Sequence, residues 1–329
     1  MINADKEILI LLLAATLDRL VGDPRILPHP VQLMGLIIST YTKLVINRPW
    51  GKFLKRLAGF LLAFGLILSS GIITSLTIAK ASQINYLFGI TVEVIILASC
   101  FAGQSLSRAA FEVLQPLRAG DLDAARAKLN LYVGRDTENL SRSEILRAVL
   151  ETVAENSTDG VTAPLFYAIL GLAIPGIGSA PLAMGYKAAS TLDSMVGYLK
   201  EPYTDIGWFS AKLEDILTWL PCRLTVITIA LLSGKPKYVW HLCSRDGVKD
   251  PSPNSGWSEC AYAAALEVQL GGNNYYGGML KQKPLLGDRL SEISPEKVEL
   301  ALGLTRNCCL IWLAIGTILL FVEGAILSN

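Results

Sequence analysis

Residues 147–194 read RAVLETVAENSTDGVTAPLFYAILGLAIPGIGSAPLAMGYKAASTLDS, and they decide what kind of chain this is. Glu151, Glu155, Asn156 and Asp159 on one side, and Lys187, Thr191, Asp193 and Ser194 on the other, flank an apolar segment. That segment is interrupted by Pro164, Gly171, Pro175, Gly176, Gly178, Pro181 and Gly185. A charge at membrane depth is costly, so ionisable residues beside such a segment point to a protein-lined or watered cavity. Backbone groups freed by the prolines and glycines need protein or water partners there, which argues against a straight lipid-facing helix. The stretch predicts a broken or re-entrant element over 161–185 with polar helix on both sides.

The rest of the chain agrees. Of its 329 residues, 52% are apolar and 17% charged, with mean hydropathy +0.44; ordinary soluble chains have roughly 45–50% and about 25%. The expected fold class is all-α, a polytopic helical membrane protein with broken or re-entrant segments and cytoplasmic helical excursions, forming one integral-membrane domain over 1–329. Clear spans are expected near 57–79, 87–103 and 308–327. The segments near 8–17, 161–185 and 221–234 are ambiguous, the first because it falls below the ~20 residues that cross hydrocarbon comfortably. The apolar run 224–233 is too short to span and is expected to be re-entrant or buried. Seven Lys/Arg between 18 and 56 place that loop, and the segment after 103, in the cytoplasm. The expected location is the inner or plasma membrane, with the polar motifs on the cytoplasmic side. The N-terminal apolar run follows Asp5 and Glu7 and lacks a small-residue cleavage site, so it is expected to be retained.

A net charge of +1 without a basic block excludes nucleic acid as a partner. Six cysteines without C-x-x-C spacing suit neither a disulfide scaffold nor a zinc site. Local signals then place the motifs. Asp121 opens a helix, Gly134-Arg135-Asp136-Thr137 is a turn, and Ser141-Arg-Ser-Glu144 is a capping box that gives Glu144 a structural job. Arg147, Glu151 and Glu155 recur at four-residue steps on one helical face, and the helix is expected to end over 155–160. Lys187, Thr191 and Ser194 share a face, with Asp193 at its edge. His29 lies between two prolines that stiffen its loop. The turn from Asp250 to Glu259 feeds a helix expected to stop at Gly271-Gly272. Its Asn254-Ser255-Gly256 start suits anion binding and ordinary N-capping equally.

No phosphate loop, H-E-x-x-H or nucleophile elbow occurs, and two histidines make a histidine metal site improbable. Carboxylates, a lysine, hydroxyls and backbone N–H groups remain. They suit Mg²⁺ held by one or two carboxylates plus phosphate oxygens, with lysine offsetting charge on a transferred phosphoryl group.

Six phrases in order carry a resemblance: Gly22-Asp23-Pro24, Pro28-His29-Pro30-Val31, Gly134-Arg135-Asp136-Thr137, ETVAENSTDGVTAPLF over 151–166, YKAASTLDSMVGY over 186–198, and Asn254-Ser255-Gly256-Trp257-Ser258-Glu259. Together they resemble the adenosylcobinamide-phosphate synthase (CobD/CbiB) family of cobalamin biosynthesis across nearly the whole chain. One departure is Ala189-Ser190, where an asparagine is expected nearby. The resemblance implies an integral-membrane ligase that joins aminopropanol, or its phosphate, to the f propionate of adenosylcobyric acid, driven by ATP. Its partners are then the corrinoid substrate, the amino alcohol and the bilayer, with ATP and Mg²⁺ required.

Residue chemistry suggests the roles: Glu155 with Asp159 or Asp193 on Mg²⁺, Glu151 as base toward the amine, and Lys187 offsetting phosphate charge. Asn254, Ser255 and Gly256 would cradle the amino-alcohol phosphate. His29, Arg135, Asn156, Thr191, Ser194, Trp257 and Glu259 complete the substrate-binding set. The first rival reading is a membrane corrinoid-binding or transport protein, favoured by the broken 161–185 segment. The second, a prenyl-type transferase, lacks its paired Asp-rich motifs.

Overall fold

The computed structural model describes residues 4–22, 29–198 and 200–327. The Asp23, Pro24 and Pro28 parts of the N-terminal motifs lie outside the described residues. The helices are α1 (Ala4–Leu20), α2 (Pro30–Ile46), α3 (Lys52–Ile84), α4 (Tyr86–Ala98), α5 (Gly103–Arg118), α6 (Leu122–Leu129), α7 (Arg142–Ser157), α8 (Ala163–Ala173), α9 (Ser179–Val196), α10 (Trp208–Leu232), α11 (Pro236–Arg245), α12 (Ser255–Leu266) and α13 (Pro295–Leu327). One antiparallel hairpin, β1 (Leu270–Tyr276) with β2 (Met279–Leu286), is the only sheet among the described residues. The chain is an all-α membrane protein carrying that one hairpin.

Among the described residues three helices, α3, α10 and α13, are long and apolar enough to cross a membrane. The expected spans 57–79 and 308–327 lie inside α3 and α13. The 87–103 segment does not form one helix: α4 stops at Ala98, and α4 with α5 meets the length and hydropathy criterion only as a pair across 99–102. The 224–233 run, expected to be re-entrant or buried, is the end of the 25-residue α10. Pro221 inside α10 does not break it, although its missing N–H deprives the Leu217 carbonyl of a helical donor. The Tyr167 hydroxyl donates to that carbonyl at 2.9 Å, which supplies the partner a low-dielectric setting requires.

The described residues cluster into two compact units. Unit 1 is drawn from Met1–Ala102, Ala163–Leu217 and Ile311–Asn329, and unit 2 from Gly103–Thr162 and Thr218–Leu310. In unit 1 the expected break is present: α8 ends at Ala173 and α9 starts at Ser179. Between them Gly176 and Gly178 have φ of +85° and +87°, and the Gly178 N–H donates to the Gly171 carbonyl at 3.1 Å. Left-handed φ is the conformation glycine adopts without steric cost, so the sequence breaks the helix where the backbone reverses.

Unit 2 packs one apolar core. Leu114 and Leu117 of α5, Ile145, Leu150 and Val153 of α7, Val239 and Leu242 of α11, Tyr262 of α12 and Val268 all lie within it. The expected capping box opens α7, with the Glu144 N–H donating to Ser141 Oγ and the Ser141 N–H to Glu144. The α-helix stops at Ser157, inside the expected 155–160 window, and a π-turn (Thr158–Thr162) follows it and leads into α8. Ser258 of α12 explains the π-turn: its hydroxyl donates to the Ala154 carbonyl at 2.6 Å and pairs with Thr158 Oγ1 at 2.9 Å. A side chain inserted into the hydrogen-bond ladder displaces the regular partner, so the polar cluster at the helix end also forms a bulge.

Candidate functional site in unit 2

Helix α7 brings Arg147, Glu151 and Glu155 to one face, and that face is turned inward. Glu151 is 2% exposed. Arg135 Nη2 donates to Glu151 Oε2 at 2.5 Å, while Arg147 Nη1 and the Gly271 N–H donate to Oε1 at 3.2 and 2.9 Å. Both guanidinium groups also reach Asn274 Oδ1, and Arg147 donates to the Gly271 and Asn273 carbonyls. Glu151 is thus the buried tie between α7, the 134–137 turn and β1. Its acceptor oxygens are already engaged by cations and a backbone N–H, which leaves a poor acceptor for a substrate proton.

The same turn anchors the hairpin tip. Asp136 accepts from the Gly277 and Gly278 N–H groups at 2.8 and 2.7 Å, and these two bonds hold its carboxyl below the ordinary range. The Arg135-Asp136 pair, expected to bind substrate through Arg135, therefore folds the hairpin onto α7.

The hairpin delivers Lys283 to α12. Lys283 Nζ lies 3.1 Å from Glu259 Oε1, and Glu259 is fully buried, with Oε2 lacking a hydrogen-bond partner. Burial, then the neighbouring Glu151 and Glu155, push the Glu259 carboxyl up to about 8 against the relief of Lys283. Burial opposes the charge on Lys283, but Glu259, Glu155 and Glu151 together raise it. Glu155 is raised by burial first and by Asp250 and Glu151 next, with Lys283 and Arg135 opposing. Among the described residues Glu151 and Glu259 form ion pairs within 4 Å, whereas Lys283 and Arg135 act on Glu155 without such a contact.

At the start of α12, Arg223 Nη1 donates to Asn254 Oδ1 at 3.0 Å. The Arg223 guanidinium lies over Trp219 and Trp257, 5.2 and 4.5 Å from the ring centroids, and Trp240 meets Trp257 edge-on. Asn254 makes no side-chain cap bond; its side chain holds the arginine instead. Ser255 Oγ donates to Asp250 Oδ1 at 3.3 Å. Gly256 is required by packing, because a methyl there would collide with the Gly247 carbonyl and sit 2.5 Å from Asp250 Cβ.

Unit 2 thus holds Glu151, Glu155, Asp159, Arg135, Asn156, Asn254, Ser255, Gly256, Trp257 and Glu259. Asn156 is exposed and donates to the Thr152 carbonyl of its own helix, and Asp159 lies in the π-turn. Lys187, Thr191, Asp193 and Ser194 belong to α9 in unit 1. The hydroxyls of Thr191 and Ser194 donate to the Lys187 and Thr191 carbonyls, and Asp193 Oδ1 folds back over Gly197. His29, also in unit 1, caps α2 by accepting from the Val31 N–H at 3.3 Å.

Among the described residues no three His, Cys, Asp or Glu side chains gather as a metal site. The donor set fits Mg²⁺ only in the mode where one or two carboxylates share the ion with substrate phosphates. Glu155 has that chemistry, since the Asp250 and Glu151 charges that raise it would be relieved by a cation, and Asp159 of the π-turn is a second such carboxylate.

Sequence reasoning missed Lys283, Asn274 and Arg223. The hairpin was the lost signal: α12 stops at Leu266, not at Gly271-Gly272. Gly277-Gly278 between Tyr275-Tyr276 and Met279-Leu280 is a two-residue hairpin signature that identifies both strands.

A family model described as CobD/Cbib protein matches residues 11–305. The chain is 53% identical over 317 residues to the cobalamin biosynthesis protein CobD of Synechocystis sp., covering 96% of this chain and 93% of that one. It is 41% identical over 307 residues to CobD of Halalkalibacterium halodurans, covering 90% and 91%. Over 306 residues it is 41% identical to the cobalamin biosynthesis protein CbiB of Salmonella choleraesuis, covering 92% of each. No solved structure matches.

Proposed function

The chain belongs to the CobD/CbiB family of cobalamin-biosynthesis proteins, and on that premise we propose that it is the amide-forming ligase of corrinoid assembly. It converts adenosylcobyric acid to adenosylcobinamide, or its phosphate, by joining the f propionate to aminopropanol or aminopropanol phosphate at the expense of ATP. The observation that carries this reading is the carboxylate-lysine cluster of buried Glu259 with half-buried Glu155 and Lys283, in a chain without a nucleophile elbow or histidine metal motif.

A carboxylate does not condense with an amine unaided. The propionate oxygen attacks the γ-phosphorus of ATP and ADP leaves, giving an acyl phosphate; the amine attacks the acyl carbon, the amide C–N bond forms and inorganic phosphate leaves. Bound Mg²⁺ would draw charge from the phosphates, held through Asp159, which leaves Glu155 to the amine. Lys283 offsets phosphoryl charge, and the proton affinity of Glu259 lets it release Lys283 by taking up a proton. Glu155 rather than Glu151 is proposed to accept the amine proton, because the Glu151 oxygens are already taken by Arg135, Arg147 and the Gly271 N–H. Arg223, held by Asn254 and two tryptophan faces, supplies a fixed cation for the phosphate of the amino alcohol. Lys187 and Asp193 remain proposed for charge offset and metal binding, and Lys187→Ala and Asp193→Asn variants test them at limiting Mg²⁺. The polar chemistry is proposed to face the cytoplasm.

The deciding experiment incubates purified protein with adenosylcobyric acid, Mg-ATP and 1-amino-2-propanol or its phosphate, following corrinoid mass and ADP together. One ADP per amide formed is the expected result. Bound corrinoid with neither ADP nor a mass change overturns the ligase in favour of the binding or transport reading.

A further inference from the structure

The break between α8 and α9 opens onto a cavity of about 340 Å³ in unit 1, lined by none of the residues given a role in the proposed function. Its wall is formed by α3, α4, the start of α1, the end of α8 and the 174–178 turn. Among the described residues three charged side chains meet there. Lys6 Nζ lies 3.6 Å from Glu93 Oε2 and 3.6 Å from Glu7 Oε1, so one ammonium group faces two carboxylates. Glu93 projects from the apolar helix α4 and is 5% exposed. Two further polar atoms there are buried without a well-formed hydrogen bond, Glu7 Oε2 and the hydroxyl of Ser179 beside Glu93. Ser179 is 1% exposed.

These observations share one electrostatic sense. The three charges sum to one net negative charge in an apolar surround, which is unfavourable unless something positive joins them. The end of α8 adds to it: Gly171 and Leu172 line the cavity, and the last carbonyls of a helix carry partial negative charge. The 174–178 turn supplies irregular backbone, the kind of wall that coordinates cations where helices break inside membranes. With two carboxylates in place of three or more ligands, the donor set is sparse for a divalent ion and suited to a singly charged one.

We propose that this cavity binds one small monovalent cation, an alkali ion or a primary ammonium group, held by Glu93 and Glu7 with backbone carbonyls of the α8–α9 break. The cation locks α1, α4 and the break together.

The test measures thermal unfolding of the purified full-length chain in detergent by tryptophan fluorescence. NaCl, KCl or propylammonium chloride replaces N-methylglucamine chloride at constant ionic strength. The wild type is expected to gain about 4 °C or more, saturably, with at least one of the three cations. The cation that acts tells alkali from ammonium binding. Glu93→Gln and Glu7→Gln are each expected to abolish the gain; should Glu93→Gln fail to fold, Glu7→Gln decides. No cation-specific gain in the wild type, or an undiminished gain in Glu7→Gln, overturns the proposal. Ligase activity does not enter the readout, so failure here is separate from failure of the proposed function.

Discussion

Lys283 on β2 and Glu259 on α12 form a 3.1 Å ion pair in which the carboxylate is wholly buried and one of its oxygens has no other partner. The pair joins the hairpin to the helix that follows the Asn254-Ser255-Gly256 turn, and its protonation state sets a pH dependence. Glu259 in the unfolded chain titrates near 4.5, whereas burial pushes it up to about 8 when folded. A raised folded value means that the folded state holds the extra proton between these limits. Its contribution to stability is full below about 4.5 and is lost as pH rises through about 8. The thermal midpoint in detergent is expected to fall from pH 5 to pH 8, and Glu259→Gln to flatten that slope. Asp246, held near 2 by Arg245, Lys249 and the Gly287 N–H despite burial, acts only at lower pH. An unchanged slope in Glu259→Gln would show that the pair does not titrate in this window.

Glu155→Gln separates the two acids of α7. It is expected to lower amide formation about 10²–10⁴-fold, the range of a lost general base, while leaving the fold intact. Asp substitution at the same site restores part of the rate and shifts the acidic limb of the pH–rate profile. Equal rates for wild type and Glu155→Gln would move the base role elsewhere.

Glu151→Gln acts on stability instead. Removing one partner from a buried ion pair leaves uncompensated charge and costs about 3–5 kcal/mol. Denaturant titration in detergent should show that loss. The Arg135→Leu, Glu151→Leu double variant should be less destabilised than the sum of its single substitutions, because Arg135 and Glu151 share the 2.5 Å contact.

Gly256→Ala is expected to destabilise by about 1–3 kcal/mol, since the added methyl overlaps Gly247 and Asp250. Gly247→Ala is expected to behave similarly but less severely, because its nearest approach, 3.1 Å to the Gly256 carbonyl, leaves room to relax. Midpoints of thermal unfolding compare the two directly.

Legible from the residues alone were the helical membrane architecture, a break somewhere within 161–185, the capping box at Ser141 and the shared face of Arg147, Glu151 and Glu155. Each of these follows from short-range rules: hydropathy over a span, glycine and proline dihedral preferences, side chain to backbone caps, and 3.6-residue periodicity. Tertiary structure decided what those residues do. Whether the α7 stripe faced water or the interior depended on Arg135, Asn274 and Gly271, which lie up to 139 positions from their partners in the chain. The π-turn after Ser157 depended on a serine 104 positions from the carbonyl it engages. Lys283 became part of the site because the hairpin, itself legible in Gly277-Gly278, folds back onto α12. Local propensity acts through neighbours in sequence, whereas burial and charge pairing act through neighbours in space; the second set exists only once the chain has folded.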